Sequence, residues 1–471
     1  MGTPFVHLLQ TPYGYYLYDV NTDLIYGVEE HIYNALRLLK DGKEALLSET
    51  EIGDINKLRD QGLLETKRPI RMKHPLSDRM GYYLSKKIEG ISLQVTQDCN
   101  FRCHYCPYSQ GENSSTRKHA KRSMPFEIAK KGIDFIQCRS RDAEKVRISF
   151  YGGEPLLEFE LIRKIVSYSK NVFEGKPVSY NLTTNGSLLT REKIDYFEEN
   201  GIQLAISLDG PKEIHDASRV LAETGGGTFD TIMKKVLLLE KEYPRYLRNK
   251  VIFISIIDPS RDFDCVNSLF FNHAALKDVA VVTSVVDDSN STEKNRLSPQ
   301  FLIQQEYDAF KAFATRLGWM ERDRLSSITL HKMDNLVSFE RTYGTHSIYD
   351  EMSHGGPCII GAGKLFMDVD GNFFPCERVN ETNGAMRIGN VKDGFDMQKV
   401  DKLLNVCQLT EDMCKDCWAI NNCAICPKNI DDETGLSIEA KVALCADEKL
   451  RVEQLMRGYI AEKEILERCM A

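Results

Sequence analysis

Six short apolar segments that alternate with amphipathic helical patterns predict an α/β chain built on a partial (β/α)6 barrel. Tyr-rich alternating segments ahead of them predict a winged-helix-like N-terminal domain. A loop-rich tail carrying eight cysteines between Cys358 and Cys445 predicts a C-terminal domain held by metal centres. The expected divisions are 1–80, 86–310 for the barrel, 311–350 for bridging helices, 351–450 for the cysteine domain and 451–471 for a terminal helix.

In the first division, segments 5–9, 14–19 and 24–28 alternate, with a turn at residues 21–23. Helical patterns follow over 29–40 and 52–61, the second stopped by Gly62. Residues 67–79, with Pro69 and Pro75, read as a linker. The barrel strands are expected at 91–96, 146–150, 179–184, 204–208, 251–257 and 279–285. Helices are expected between them, for example over 125–137, 159–173, 190–200 and 228–241. Parallel β–α units place functional loops at the strand C-termini.

A length of 471 residues suggests about three domains. A hydrophobic fraction of 42% suits a globular core, and a net charge of −8 gives no reason to expect nucleic-acid binding. The basic run Arg117–Arg122 reads as a solvated loop. The N-terminus lacks the regions of a signal peptide, Val6 breaks the myristoylation pattern that Gly2 opens, and no apolar run is long enough to span a membrane. A cytoplasmic protein is expected. Fourteen cysteines are many for that compartment, and their clustering reads as metal or iron–sulfur sites.

Cys99, Cys103 and Cys106 follow the first barrel strand with spacing C-x3-C-x2-C. Three thiolates on a loop of this length can hold one face of an iron–sulfur cube and leave one iron open. The alternative is zinc or free thiols, but no fourth ligand closes a zinc site, and His104 lies inside the loop. After the second strand, Gly152 and Gly153 would let a ligand approach the backbone, and Glu154 could take a cationic amine. Gly225-Gly226-Gly227 reads as a hinge or turn, because the Lys-Ser/Thr of a phosphate loop is absent.

These residues resemble the radical S-adenosylmethionine (SAM) superfamily, with Tyr105 as the aromatic before the last cysteine. The stretch from Ser207 through Asp209, His215 and Asp216 to Arg219 is similar to the SAM-binding segment of anaerobic sulfatase maturases and peptide-modifying relatives. The resemblance implies a 4Fe–4S cluster on Cys99, Cys103 and Cys106. It implies SAM contacts from Tyr105, Gly152, Gly153, Glu154, Thr184, Asn185, Ser207 and Arg219. Glu154 would take the amino group, Ser207 the ribose or carboxylate, and Arg219 the carboxylate, which a guanidinium matches bidentately. The implied chemistry is reductive cleavage of SAM to a 5′-deoxyadenosyl radical that removes a substrate hydrogen. No residue marks the general base.

The later cysteines fall in the order Cys358, Gly371-x4-Cys376, Cys414-x2-Cys417-x5-Cys423-x2-Cys426, Cys445. This resembles the SPASM extension of radical SAM peptide maturases, which holds two auxiliary 4Fe–4S clusters, making three in all. One residue is missing before Cys426 relative to the family spacing. By the resemblance Cys414, Cys417, Cys423 and Cys445 close one cluster, while Cys358, Cys376 and Cys426 hold the other. That second set leaves an iron open to a substrate thiolate, or Cys407 is its fourth ligand. Without the barrel, zinc knuckles would explain the same tail. Cys138, Cys265 and Cys469 remain as core or surface thiols.

A three-stranded sheet with helices ahead of such a barrel looks like the leader-recognition element of ribosomal peptide maturation, which captures a leader as an added edge strand. The three parts together resemble sactipeptide and ranthipeptide synthases, which form Cys thioether crosslinks. The expected partners are a ribosomal precursor peptide and a reductant such as flavodoxin or ferredoxin. Formylglycine maturation of the sulfatase type and other radical crosslinking or epimerisation are the enzymatic alternatives. An iron–sulfur electron carrier or redox sensor is the non-enzymatic one.

Overall fold

A computed structural model describes residues 2–106, 119–286, 297–356, 358–432 and 435–470. Arg117 and Lys118 of the basic run and the side chain of Cys469 lie outside the described residues. Among the described residues, no helix is long and apolar enough to cross a membrane.

Strands β1 (Val6–Gln10), β2 (Tyr15–Asp19) and β3 (Leu24–Val28) form an antiparallel sheet in that order. Helix Glu30–Lys40 lays Ala35, Leu36 and Leu39 on its face. Helix Glu49–Asp60 starts earlier than the apolar pattern suggested, because Ser48 and Glu51 form a capping box. The expected linker is structured. Its segment β4 (Arg71–Met72) pairs with a distant strand, and helix Met80–Lys86 follows.

Strands β5 (Gly90–Thr96), β6 (Val146–Gly152), β7 (Val178–Thr184), β8 (Gln203–Ser207), β9 (Val251–Ile257) and β10 (Ala280–Val285) lie side by side in chain order, every neighbouring pair parallel. Their connecting helices include Phe126–Gln137, Phe159–Val172, Arg191–Glu199 and Phe229–Glu242. The strands are mostly β-branched and aliphatic, and Leu93, Ile148, Leu204, Ile206 and Phe253 are buried in one core with the helices.

The first edge of this sheet is not free. While β11 (Glu351–Met352) pairs with β4 in a separate two-stranded sheet, β12 (Phe366–Met367) adds parallel to β5. β13 (Asn372–Phe374), β14 (Gly389–Asn390) and β15 (Gly394–Phe395) continue antiparallel, giving a ten-stranded sheet. The cysteine-rich region is therefore bonded into the barrel sheet, and Cys376 comes two residues after β13.

Two expected boundaries fall inside helices. Helix Pro299–Arg316 crosses 310, and helix Ile438–Met470 runs unbroken across 450 with Cys445 on it. Its partner in the bridging region is helix Ser327–Thr342.

The N-terminal sheet is fastened to the tail. Asp23, 1% exposed, accepts from Tyr18 Oη at 2.6 Å, His346 Nδ1 at 2.8 Å and the Gly344 N–H at 3.1 Å. Asn421 Nδ2 donates to Tyr18 Oη at 3.2 Å and to Val20 O at 3.0 Å. His7 stacks on Trp418 with centroids 3.6 Å apart.

Asp23→Ala strands several of these donors. At about 1–3 kcal/mol for each buried group left unpaired, a loss of about 3 kcal/mol in denaturant unfolding is expected. The Asp23 hydrogen bond also holds the His346 pKa above its ordinary value. A raised folded-state pKa gives stability that is full below the unfolded value of about 6.5 and is lost as pH rises through the folded one. Wild-type thermal midpoints are expected to fall as pH rises above about 6.5, with His346→Ala reducing that slope.

Candidate functional site

The C-terminal ends of β5 to β8 meet in one place. Beyond β5, the loop with Cys99, Cys103 and Cys106 is pinned to the segment after β8. Arg102 N–H donates to Val220 O at 2.9 Å, His104 N–H to Ser218 O at 3.0 Å, and Ala222 N–H to Asn100 O at 2.9 Å. The turn after β6 closes on the same loop, with Gly153 N–H on Thr96 O at 2.9 Å and Glu154 N–H on Asp98 O at 2.8 Å. A Cβ at Gly152, where φ is +137°, would fall 2.1 Å from Thr96 O, and one at Gly153 would fall 2.0 Å from Asp98 O. The two glycines are thus needed for backbone to meet backbone, and not only for a ligand's approach.

The three thiols crowd one another. Burial pushes Cys99 up to about 12 and Cys103 up to about 11, and each is raised further by its neighbouring cysteines. Crowded thiols in apolar surroundings suit iron, which takes them as thiolates. Among the described residues, no three His, Cys, Asp or Glu side chains draw together tightly enough for one ion.

Arg219 is not free to give its fork to a ligand. Its Nε donates to Asp209 Oδ2 at 2.8 Å and its Nη2 to Asp209 Oδ1 at 3.1 Å. Its Nη1 lies 3.9 Å from Cys103 Sγ, and the guanidinium carbon sits 5.4 Å over the Tyr105 ring. Tyr105 Oη also donates to Asp209 Oδ2, and the Ile256 N–H donates to Oδ1 at 3.0 Å. Asp209 is the organising residue that sequence reasoning passed over. A single carboxylate fixes both the aromatic of the cysteine loop and the arginine beside Cys103.

Glu154 also differs from expectation. It is 0% exposed and does not line the cavity. Its Oε1 accepts from Thr184 Oγ1 at 2.7 Å and the Leu156 N–H at 2.9 Å, and its Oε2 accepts from the Asn185 N–H at 2.7 Å. Burial raises its pKa and those three donors oppose the rise. Its carboxylate ties β6 to β7, leaving a ligand amine only what the backbone offers. Asn185 Nδ2 donates to Asn100 Oδ1 at 2.8 Å, bringing β7 to the cysteine loop. Ser207, 8% exposed, has no hydrogen-bond partner among the described residues and faces the cavity.

That cavity, about 1010 Å3, is lined by all three cysteines, Tyr105, Gly152, Gly153, Thr184, Asn185, Ser207 and Arg219. It continues past Arg147 and Tyr151 to Lys364, Glu377, Arg378 and Lys428. Glu377 is the one carboxylate among its described lining residues. Its place next to Cys376 was the only clue in the sequence.

The tail cysteines form two groups. Cys414, Cys417, Cys423 and Cys445 line a second, smaller cavity, with His354 and Lys441. Cys376 is raised by burial, Glu377 and Cys426, while burial and Cys358 raise Cys426. Cys407 belongs with the first group. It is 0% exposed, hydrogen-bonds the Ser353 side chain and feels Lys441 and Cys414, so the structure does not bring it to Cys358, Cys376 and Cys426. Cys138 and Cys265 are exposed.

Residues 93–262 match the radical SAM superfamily, so the chain carries a radical SAM domain. An uncharacterised protein of Methanocaldococcus jannaschii is 33% identical over 157 residues, 33% of this chain and 51% of that protein, so the match spans about half of its length. The radical SAM cyclopropyl synthase TigE of Paramaledivibacter caminithermalis is 22% identical over 79% of this chain and 74% of its own. A cysteine-type anaerobic sulfatase-maturating enzyme of Clostridium novyi is 27% identical over 62% of this chain and 74% of its own. Native anSMEcpe with bound AdoMet shares the fold, with a TM-score of 0.58 at 18% identity over 79% of this chain and 99% of that one. The same protein is solved with AdoMet and the Cp18Cys peptide, at a TM-score of 0.56 and 19% identity over 80% and 99%.

Arg219→Lys keeps the charge and loses the two-point grip on Asp209. SAM affinity measured by equilibrium dialysis is expected to fall about tenfold or more, about 1.4 kcal/mol, with iron content unchanged.

Proposed function

We propose that this chain is a radical SAM maturase of a ribosomally made, Cys-rich precursor peptide, and that it forms Cys thioether crosslinks of the sactipeptide and ranthipeptide kind. The observation that carries the reading is the single cavity of about 1010 Å3. It runs from Cys99, Cys103 and Cys106 to Glu377 and Lys428, which flank Cys376 and Cys426 in the chain. A peptide segment lying there would run from the first thiol set to residues that adjoin Cys376 and Cys426 in the chain.

Cys99, Cys103 and Cys106 would hold the SAM cluster, Cys358, Cys376 and Cys426 a cluster with three protein ligands, and Cys414, Cys417, Cys423 and Cys445 a closed one. When bound, the first cluster supplies the electron that cleaves SAM to methionine and the 5′-deoxyadenosyl radical that takes a hydrogen from substrate. Ser207 Oγ and Arg219 Nη1 are the polar groups left over for the SAM carboxylate. Asp209 holds the rest of the guanidinium still, so orientation is set before SAM arrives. Phe101, Phe150, Ile254 and Ile256 give part of the cavity an apolar wall.

The N-terminal sheet would capture the leader. β3 is an edge strand with no strand beyond it among the described residues; Tyr343 Oη accepts from the Ile25 N–H at 2.6 Å, and an extended peptide would add along the rest of that edge. A tethered leader raises the local concentration of successive core residues. A flavodoxin or ferredoxin would supply electrons, and an aqueous cytoplasmic setting suits this chemistry.

Formylglycine formation is the second reading. It is favoured by the match to the Clostridium novyi sulfatase-maturating enzyme over 62% of this chain. The two leave different masses. A thioether loses two hydrogens per crosslink and keeps its sulfur, whereas formylglycine made from Cys loses the sulfur and gains an oxygen.

The test is anaerobic turnover of the reconstituted, reduced chain with SAM and a small Cys-rich peptide encoded beside its gene. 5′-Deoxyadenosine and a loss of two hydrogens per crosslink are expected together. Replacing Cys99, Cys103 or Cys106 by Ala should abolish deoxyadenosine; persistent release would sink the catalytic assignment. An unchanged peptide mass with continued SAM cleavage would reject crosslinking and point to epimerisation. Iron–sulfur centres that cycle without any deoxyadenosine would make the chain an electron carrier or sensor.

A further inference from the structure

We propose that His354 and Lys441 donate hydrogen bonds to the iron–sulfur centre on Cys414, Cys417, Cys423 and Cys445, and that they raise its reduction potential. The inference rests on the reading of these four cysteines as cluster ligands.

His354 is 3% exposed, and both of its ring nitrogens lack a hydrogen-bond partner among the described residues. The Cys423 carbonyl accepts from the Gly356 N–H at 3.0 Å, and neither ring nitrogen of His354 reaches hydrogen-bond geometry with a protein acceptor among the described residues. An imidazole carries at least one N–H donor, and burying it without an acceptor is unfavourable. The ring lines the cavity that the four cysteines share. A cluster sulfur in that cavity is the acceptor this geometry lacks.

Lys441 is the second observation. It is 0% exposed, its Nζ donates to Val406 O at 2.8 Å, and the same nitrogen lies 3.7 Å from Cys414 Sγ. Thr410 Oγ1 reaches the same sulfur at 3.3 Å. A buried ammonium with one protein acceptor needs an anion beside it, and four thiolates around iron and sulfide provide one. Glu448, which also lines the cavity, has its carboxylate taken by Arg451 at 2.7 and 2.9 Å and the Ala424 N–H.

The other two cysteine sets differ. Arg219 beside Cys103 is neutralised by Asp209, and Lys364 and Arg378 near Cys376 and Cys426 are exposed to solvent screening. Among the described residues, an orphaned N–H also occurs at Asn380 Nδ2 in the larger cavity, but the closed set is the one that Lys441, a fully buried ammonium, meets as well. Donors and positive charge favour the reduced, more negative cluster, which raises its potential.

The experiment uses the full chain carrying Cys99→Ala, Cys103→Ala and Cys106→Ala, so that only the tail centres report in an EPR-monitored redox titration. His354→Phe and Lys441→Met are each expected to shift one midpoint downward by at least a tenfold change in the reduced-to-oxidised ratio, 59 mV for one electron. His354→Gln keeps an N–H donor and should stay near the parent value. Full iron loading with no shift in His354→Phe or Lys441→Met overturns the proposal. So does loss of one centre's iron in both His354→Phe and His354→Gln, which would make His354 an iron ligand. If His354→Phe alone fails to load, the Lys441→Met midpoint decides. The underlying reading is checked separately by iron analysis: if Cys414→Ala loses no iron, there is no such centre, and the functional reading fails before any potential is measured.

Discussion

The carbonyl oxygens of Thr96 and Asp98 stand where a side-chain carbon on Gly152 or Gly153 would have to go, at 2.1 and 2.0 Å. The second strand of the parallel sheet can close on the first only because neither position carries one. From that contact the rest follows in order. The turn brings Glu154 under the sheet, Glu154 gathers the end of β7 through Thr184 and Asn185, and Asn185 reaches back to Asn100 inside the cysteine loop. Three strand ends become one plate, and the loop with Cys99, Cys103 and Cys106 hangs from its rim. A larger residue at either glycine would move the plate, and with it every thiol.

Charge is distributed with the same economy. The Asp209–Arg219 pair is buried on both sides, at 2% and 7% exposure. Removing one partner of such a pair typically costs about 3–5 kcal/mol, because the other charge stays inside. The arrangement is therefore weak as a source of stability and strong as a source of position. It keeps a guanidinium next to Cys103 with two of its nitrogens committed, and a phenol beside it that donates to the same carboxylate. What remains uncommitted, one guanidinium nitrogen and the Ser207 hydroxyl, faces the cavity.

Much of this was legible from the residues. Strand β9 was expected over 251–257 and spans Val251–Ile257, because its residues alternate between buried and half-buried along the whole length. The four tail cysteines assigned together do share a cavity. Other features leave no periodic trace. β12, β14 and β15 are two residues each, too short for any pattern, yet they carry the tail onto the barrel sheet. Helix Ile438–Met470 starts with Lys441 buried for its hydrogen bond and Cys445 in the thiol cavity, so its first turns look irregular in hydrophobicity. Glu154 and Arg219 were read as ligand-facing because their chemistry suits an amine and a carboxylate. The structure gives most of their hydrogen bonds to the protein itself, and a sequence does not say whether a charged group's partner is internal.

The contacts of the N-terminal sheet have a consequence in time. Tyr18 and its partner Asn421 are 403 positions apart. At a synthesis rate of about 5–20 residues per second, the ribosome needs about 20–80 s to make the second after the first. Through that interval Asp23 has neither Asn421 nor His346, and His7 has no Trp418 to stack on. Until then the sheet has only its own local core, Val6 and Leu17 against Ala35, Leu36 and Leu39. Contacts of such sequence separation form late, so the N-terminal module rests on that local core alone until the tail docks against it.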